Sequence, residues 1–296
     1  MFHKEMRKLS RRYRIRDGGK FHLKKWDPKD TADLSIEKND AKAMLAEGVE
    51  RLADLNGKLY AQDRWSVLLI FQAMDAAGKD STIKHVFSGL NPEGCDVHSF
   101  KEPSKEELDH DFLWRIAKAL PERGKIGIFN RSYYEEVLIV RVHEEILASQ
   151  KLPPRLVGDD IWKERFEDIC AFERHLSRNG TVVRKFFLNL SKEEQRKRFL
   201  ARIDEPEKNW KFSMADVHER ERWRDYMRAY EEAIRATATK TSPWYVVPAD
   251  NKWFTWLIVT AAVVDALEEL DVDYPKLAPA QRRQLAAARK ELQRGK

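Results

Sequence analysis

The segment Val67-Leu68-Leu69-Ile70-Phe71-Gln72-Ala73-Met74-Asp75-Ala76-Ala77-Gly78-Lys79-Asp80 constrains this chain most. Five apolar residues run into a short stretch of small residues and a Gly-Lys pair. Ile83, Val86 and Phe87 follow at helical spacing. This order predicts a strand, a tight loop and a helix start. Such a loop directs backbone N–H groups and the positive helix end at an anion, and Lys79 adds a mobile cation. A chain of phosphates is the ligand that suits it best. The segment departs from the phosphate-loop pattern G-x-x-x-x-G-K-[ST] at two places: Ala73 stands at the first glycine and Asp80 at the hydroxyl residue. Taken alone, the loop is also compatible with a bare βα turn that needs Gly78 only for a left-handed backbone. Asp75 is harder to reconcile with that reading. An acid inside a phosphate cradle repels the ligand unless it holds a metal or handles a proton.

The rest of the chain alternates in the manner of α/β proteins. Strands are predicted at 66–72, 95–100, 125–130, 181–188 and 244–248. Helices are predicted at 36–62, 79–88, 105–119, 132–147, 159–178, 191–203, 216–238 and 252–270. Continuous apolar strands such as Val182–Leu188 suit a parallel sheet covered on both faces. Three segments flank or interrupt this pattern. Residues 1–35 read as a basic N-terminal arm, exposed to solvent. Residues 36–275 carry the alternating pattern as one domain, and 276–296 form a tail, helical with few core contacts.

A net charge of +6 is compatible with an anionic partner, though a well-solvated surface explains it equally. Cys95 and Cys170 lie far apart with no C-x-x-C spacing, which points away from disulfides and zinc and toward a reducing, cytoplasmic setting. No apolar stretch reaches the ~20 residues that span a bilayer, so no membrane partner is expected. His98, His110, His143 and His175 show no ligand spacing and read as structural. Trp162, Trp223, Tyr226 and Tyr230 fall on helical periodicity and read as core.

Ligands of such sheets collect beyond the carboxyl ends of the strands. There the first strand offers Asp75–Asp80, and the third offers Asn130, Arg131 and Glu135. Phosphoryl transfer asks for positioning and charge neutralisation more than for covalent chemistry. Lys79 with Ala76, Ala77 and Gly78 can hold a donor. Asp75 and Asp80 can bind Mg²⁺, or Asp75 can orient an acceptor oxygen. Arg131 suits bidentate phosphate binding, and Glu135, read as sharing its helix face, can steer the guanidinium. Asn130 serves either as a metal-side carbonyl or as a helix N-cap. Lys84 extends the anion track or is an ordinary helix lysine. Residues 184–211 carry nine Lys or Arg against five Asp or Glu. This run continues into a Pro-bearing aromatic excursion, so Arg202, Lys208 and Lys211 read as parts of a lid spanning about 200–216 that excludes water.

These blocks, with Asp109-His110-Asp111-Phe112-Leu113-Trp114-Arg115 and Pro206-Glu207-Lys208-Asn209-Trp210-Lys211, resemble the type-2 polyphosphate kinase family from about residue 12 to 270. The resemblance implies a P-loop kinase-like fold similar to thymidylate kinase. Its three α/β/α layers would hold a five-stranded parallel sheet and a helical lid. It also implies Mg²⁺-dependent, reversible phosphoryl transfer between inorganic polyphosphate and a nucleoside mono- or diphosphate. Matched block by block, Asp75 falls on the catalytic acid, Lys79 on the phosphate-binding lysine, Asn130 and Arg131 on the second motif, and Lys208 and Lys211 on the lid. Many members have Gly after the loop lysine and Asp at the second motif. Asp80 and Asn130 here suggest a carboxylate moved from one strand end to the other. A nucleoside monophosphate kinase using ATP is the enzyme alternative, and a nucleic-acid-binding protein the non-enzyme one. The leading reading expects homo-oligomers and no nucleic-acid partner.

Overall fold

The computed structural model describes residues 2–34 and 38–294. Six strands form one sheet in the order β1-β6-β5-β2-β4-β3. They are β1 (Arg14–Ile15), β2 (Ser66–Gln72), β3 (Cys95–Ser99), β4 (Ile126–Asn130), β5 (Thr181–Asn189) and β6 (Trp244–Pro248). The five strands from β2 to β6 pair in parallel, as the apolar runs in β4 and β5 suggested. The expectation of a five-stranded sheet is corrected by β1, a two-residue strand that pairs antiparallel with β6 at the edge. Two residues carry no periodicity, and their partner lies more than two hundred positions away, so nothing local announced this strand.

Each central strand divides its side chains between two cores, as the period of two requires. Val67, Leu69 and Phe71 of β2 face the first core, with Phe186 and Leu188 of β5 and Tyr245 and Val247 of β6. Leu68 and Ile70 face the second, with Val183, Phe187, Trp244 and Val246. The first core is closed by α2 (Lys38–Gln62), α3 (Lys79–Val86) and α12 (Lys252–Glu268). The second is closed by α5 (Trp114–Lys118), α6 (Glu135–Val142), α8 (Ile161–Arg178) and α11 (Trp223–Thr237). Tyr226 and Tyr230 are buried there, while Trp162 and Trp223 are half-buried. Helix α13 (Pro279–Arg294) is exposed throughout.

The N-terminal segment is not the solvated arm its basic composition suggested. Helix α1 (Phe2–Arg12) packs along α12, with Met6 buried against Leu257 and Ala261. Arg11 reaches Asp265 at 2.8 Å and Glu269 at 3.1 Å, and Arg14 reaches Glu269 at 3.3 Å. Asp265 is 1% exposed, so these guanidiniums neutralise a carboxylate that burial would otherwise penalise. Three predicted helices also divide. Region 216–238 divides into α10 (Met214–Glu219), a 3₁₀ turn (Arg220–Arg222) and α11. Region 105–119 divides into α4 (Lys105–Leu108) and α5, because Asp111 turns back to accept from the Leu113 N–H at 2.9 Å. Region 132–147 divides at His143, whose φ of −122° and ψ of 78° separate α6 from α7 (Glu144–Ser149).

Strand β2 leads through α3 toward β3 on one side, whereas β5 leads through α9 (Lys192–Asp204) to β6 on the other. Connections that part from adjacent parallel strands open a crevice at their carboxyl ends. The phosphate-loop candidate lies there. A 3₁₀ segment (Pro206–Lys211) follows α9 and overhangs the crevice with Lys208 and Lys211, and α10 comes next.

Candidate active site

A cleft of about 600 Å³ opens at these strand ends. Its lining joins Asp75–Ser81, Asn130 and Arg131 to Arg198, Arg202, Lys208, Lys211 and Lys252. With Lys101 included, eight cations and three carboxylates (Asp75, Asp80 and Glu102) face one space. Glu135 instead lines an adjoining cleft of about 420 Å³, which also contains Phe112, Ile139 and Val140, and Arg131 borders both. Lys84 is exposed on α3 and lines neither cleft.

The loop after β2 is shaped by two left-handed residues, Ala76 at φ 62° and Gly78 at φ 101°. Gly78 is the residue before α3, and its carbonyl accepts from the Thr82 N–H at 2.8 Å. A β-carbon at Gly78 would meet nothing nearer than Arg198 Nη1 at 3.8 Å, so glycine serves conformation here rather than space. Ala73 has no positive φ, which explains why the first loop position needs no glycine. Lys79 folds back, and its Nζ donates to the Ala73 carbonyl at 2.8 Å. Burial pulls the Lys79 ammonium below its ordinary pKa, against the attraction of Asp75. The first N–H groups of α3 have no carbonyl partner within the helix, and this opening turn lines the cleft.

Arg198 braces the loop from α9. It donates to the carbonyls of Ala76 (3.1 Å), Ala77 (2.9 Å), Ala249 (2.7 Å) and Asp250 (3.0 Å), and to Glu194 at 2.9 Å. Its place within a basic helical run was visible in the sequence. The main-chain carbonyls it joins were not.

The turn after β4 places Arg131 at φ 66°, with its N–H donating to the Phe71 carbonyl at 3.1 Å. Arg131 therefore lies outside α6 and does not share a helical face with Glu135, as its spacing had suggested. The guanidinium still lies between two carboxylates, at 3.2 Å from Asp75 and 3.6 Å from Glu135. Burial pushes the Glu135 carboxyl above its ordinary pKa, and Arg131 and then Lys79 oppose it. With its amide oriented to satisfy both neighbours, Gln72 donates to Glu135 at 2.8 Å and accepts from Ser132.

Asn130 does not cap α6. The Tyr134 N–H goes to Ser132 Oγ at 3.1 Å, while Asn130 Nδ2 donates to Asp80 Oδ1 at 2.6 Å. The two departures from the family pattern are thus in direct contact.

Near the end of α9, Arg202 pairs with Asp216 of α10 at 3.0 Å and donates to the Lys211 carbonyl of the 3₁₀ segment at 3.3 Å. Burial and then Asp75 push the Asp216 carboxyl up, and Arg202 opposes them. Asp216 and Lys252 are site features that sequence reading missed. Asp216 lies in an ordinary acidic helix turn, and Lys252 follows the last strand by four residues with no motif around it. Among the described residues, no cluster of three or more His, Cys, Asp or Glu could alone hold a metal ion, and no helix is long and apolar enough to cross a membrane.

The polyphosphate kinase 2 (PPK2) family profile matches residues 35–275. An ADP-polyphosphate phosphotransferase of Rhodopseudomonas palustris is 54% identical over 97% of this chain and 99% of its own length. An AMP/ADP-polyphosphate phosphotransferase of Meiothermus ruber is 44% identical over 90% of this chain and 96% of its own. The crystal structure of polyphosphate kinase 2 from Arthrobacter aurescens TC1 superposes with a TM-score of 0.84 at 41% identity, covering 93% of this chain and 95% of that one.

Proposed function

The chain belongs to the polyphosphate kinase 2 family, and on that premise we propose that it transfers a phosphoryl group between inorganic polyphosphate and a nucleoside mono- or diphosphate. The carrying observation is the composition of the larger cleft. Eight cations meet three carboxylates there, with Phe100 the one aromatic side chain among the described residues that line it. Such a surface neutralises a condensed phosphate chain and offers a nucleobase little to stack on. That contrast favours polyphosphate over ATP as donor. Carboxylates interleaved with the cations likewise disfavour a nucleic-acid backbone as the ligand.

In this reading Lys79 and the loop of Ala76, Ala77 and Gly78 hold the donor phosphates, and Lys208 and Lys211 close over them as a lid. Arg131 borders both clefts and neutralises the phosphoryl group as it passes between them. Asp75, held by Arg131, orients the acceptor oxygen. The nucleotide takes the adjoining, more apolar cleft. The donor set fits a divalent cation, since Mg²⁺ is commonly bound by one or two carboxylates with substrate phosphates and waters completing its shell. Asp75 and Asp80 would hold it, and it would supply charge neutralisation at the phosphate oxygens.

The layered sheet with its loop after β2 supports assignment to the P-loop kinase-like, thymidylate kinase-like folds, with 206–216 at the heart of the lid. Unpaired Cys95 and Cys170 support a reducing, cytoplasmic setting. Leu285 and Leu292, exposed seven residues apart on α13, support association between copies, which light scattering tests. The deciding assay supplies purified protein with polyphosphate, Mg²⁺ and AMP, ADP, GMP or GDP, with no nucleoside triphosphate. Phosphorylated nucleotide is the expected product. Transfer seen only when ATP is added would overturn the proposal.

A further inference from the structure

Away from both clefts, one ion pair is sealed in the second core: Lys185 of β5 at 0% exposure and Glu173 of α8 at 2%. Lys185 Nζ donates to Glu173 Oε2 at 2.6 Å, to the Tyr134 hydroxyl at 3.1 Å and to the Thr237 carbonyl at 2.8 Å. Its three protons are therefore all placed. Glu173 Oε1 accepts from the hydroxyls of Tyr133 and Tyr134, each at 2.8 Å. Burial raises both tyrosine hydroxyls well above their ordinary pKa, so they stay protonated and donate. Burial also pulls Lys185 down, and Glu173 opposes it.

A buried ion pair is a poor source of stability, since apolar side chains of similar volume often do as well or better. The position of its partners suggests another use. Tyr133 and Tyr134 follow directly on Arg131 and Ser132. Arg131 occupies a left-handed backbone, where a residue with a β-carbon stays only if its surroundings hold it. On one side it is held by the Phe71 carbonyl. On the other, two consecutive side chains are tied to a single carboxylate.

We propose that Glu173 and Lys185 are positioning residues for Arg131: the pair fixes the two tyrosine hydroxyls, which hold the turn that aims the guanidinium into the cleft. This rests on the reading of Arg131 as a phosphate-binding group. The role is indirect, because neither side chain lines a cleft.

The test is a cycle on the full chain, with polyphosphate, ADP and Mg²⁺ as substrates. Its members are Glu173→Leu/Lys185→Met, Arg131→Ala, and the two combined. The first variant keeps its circular dichroism and loses about tenfold or more in kcat, while KM for ADP moves less than about threefold. Glu173→Gln/Lys185→Met recovers most of the rate, because the amide oxygen still accepts from both tyrosines. In the Arg131→Ala background, removing the pair costs less than about twofold further. An unchanged kcat in the folded variant, or the full loss repeated in that background, overturns the inference. Should the core variant fail to fold, Tyr133→Phe/Tyr134→Phe completes the same cycle with the same expected outcome. A wild type without transfer overturns the functional reading itself, whereas an additive cycle in an active wild type overturns the positioning role alone.

Discussion

Exchanging the side chains at 80 and 130 is the sharpest probe of the metal side of the cleft. Asn130 Nδ2 donates to Asp80 Oδ1 at 2.6 Å, so the amide orients the carboxylate proposed to hold Mg²⁺. A hydrogen bond to a charged group contributes about 1.5–3 kcal/mol, and the exposure of Asp80 puts this one at the lower end. At about 1.4 kcal/mol per decade, that is about tenfold. Partners that orient metal ligands are worth about 10–100-fold in metal affinity, which meets the same figure from another direction. Asn130→Ala should therefore raise the Mg²⁺ needed for half-maximal velocity about tenfold. Asp80→Asn removes a charge as well and should raise it further. The exchange Asp80→Asn/Asn130→Asp restores one carboxylate and one hydrogen bond with donor and acceptor reversed, and should return within about threefold of wild type. Velocity against free Mg²⁺ at saturating polyphosphate and ADP reads all four enzymes. Wild-type Mg²⁺ dependence in Asp80→Asn, or an exchange no better than that single variant, refutes this placement of the metal.

Three further outcomes are expected. Lys79→Ala and Asp75→Asn each keep the fold and lose most of the rate, and a loss below about tenfold in kcat would remove them from central roles. Gly78→Ala costs about 1–2 kcal/mol in denaturant unfolding through its left-handed backbone alone, because its β-carbon would make only an ordinary contact with Arg198 at 3.8 Å; unchanged stability contradicts this. His143 sits 3.0 Å from both Glu145 and Glu219, and although burial opposes its charge, those hydrogen bonds win and raise its pKa. A raised folded-state pKa gives stability that is complete below the unfolded value of about 6.5 and fades as pH rises through the folded one. The melting temperature of wild type should therefore fall toward that of His143→Gln as pH rises from about 6 to 8, and parallel curves would count against the pairing.

Much of this architecture was legible because its signals are local. The central parallel strands β2 and β4 announce themselves as apolar runs, and the loop after β2 by its small residues and Gly78-Lys79, whereas β3 (Cys95–Ser99) is polar at every second residue and shows itself only by its place in the alternation. What stayed hidden depends on partners far along the chain. The guanidiniums of Arg11 and Arg14 look like a solvated tail until α12 presents Asp265 and Glu269. Asn130 looks equally like a cap or a ligand until Asp80 takes its amide. Arg131 and Glu135 have helical spacing, but the chain turns left-handed at Arg131 and the helix begins only at Glu135. Asp216 and Lys252 sit in unremarkable local sequence and reach the site only through the overhang after α9 and the last crossover.

The larger cleft draws its walls from the ends of β2, β3 and β4, from α9 and the segment beyond it, and from the first residue of α12. No contiguous stretch of chain owns it. Recovery of turnover after denaturation should thus wait for the last strand to dock, making enzymatic rate an all-or-none gauge of renaturation. The stretch 153–160 is exposed and lies between the two groups of wall-forming segments. Cutting there should yield halves that are each inert and that regain turnover together, when mixed, as one reassembled sheet, which an activity assay on the separate and mixed halves checks.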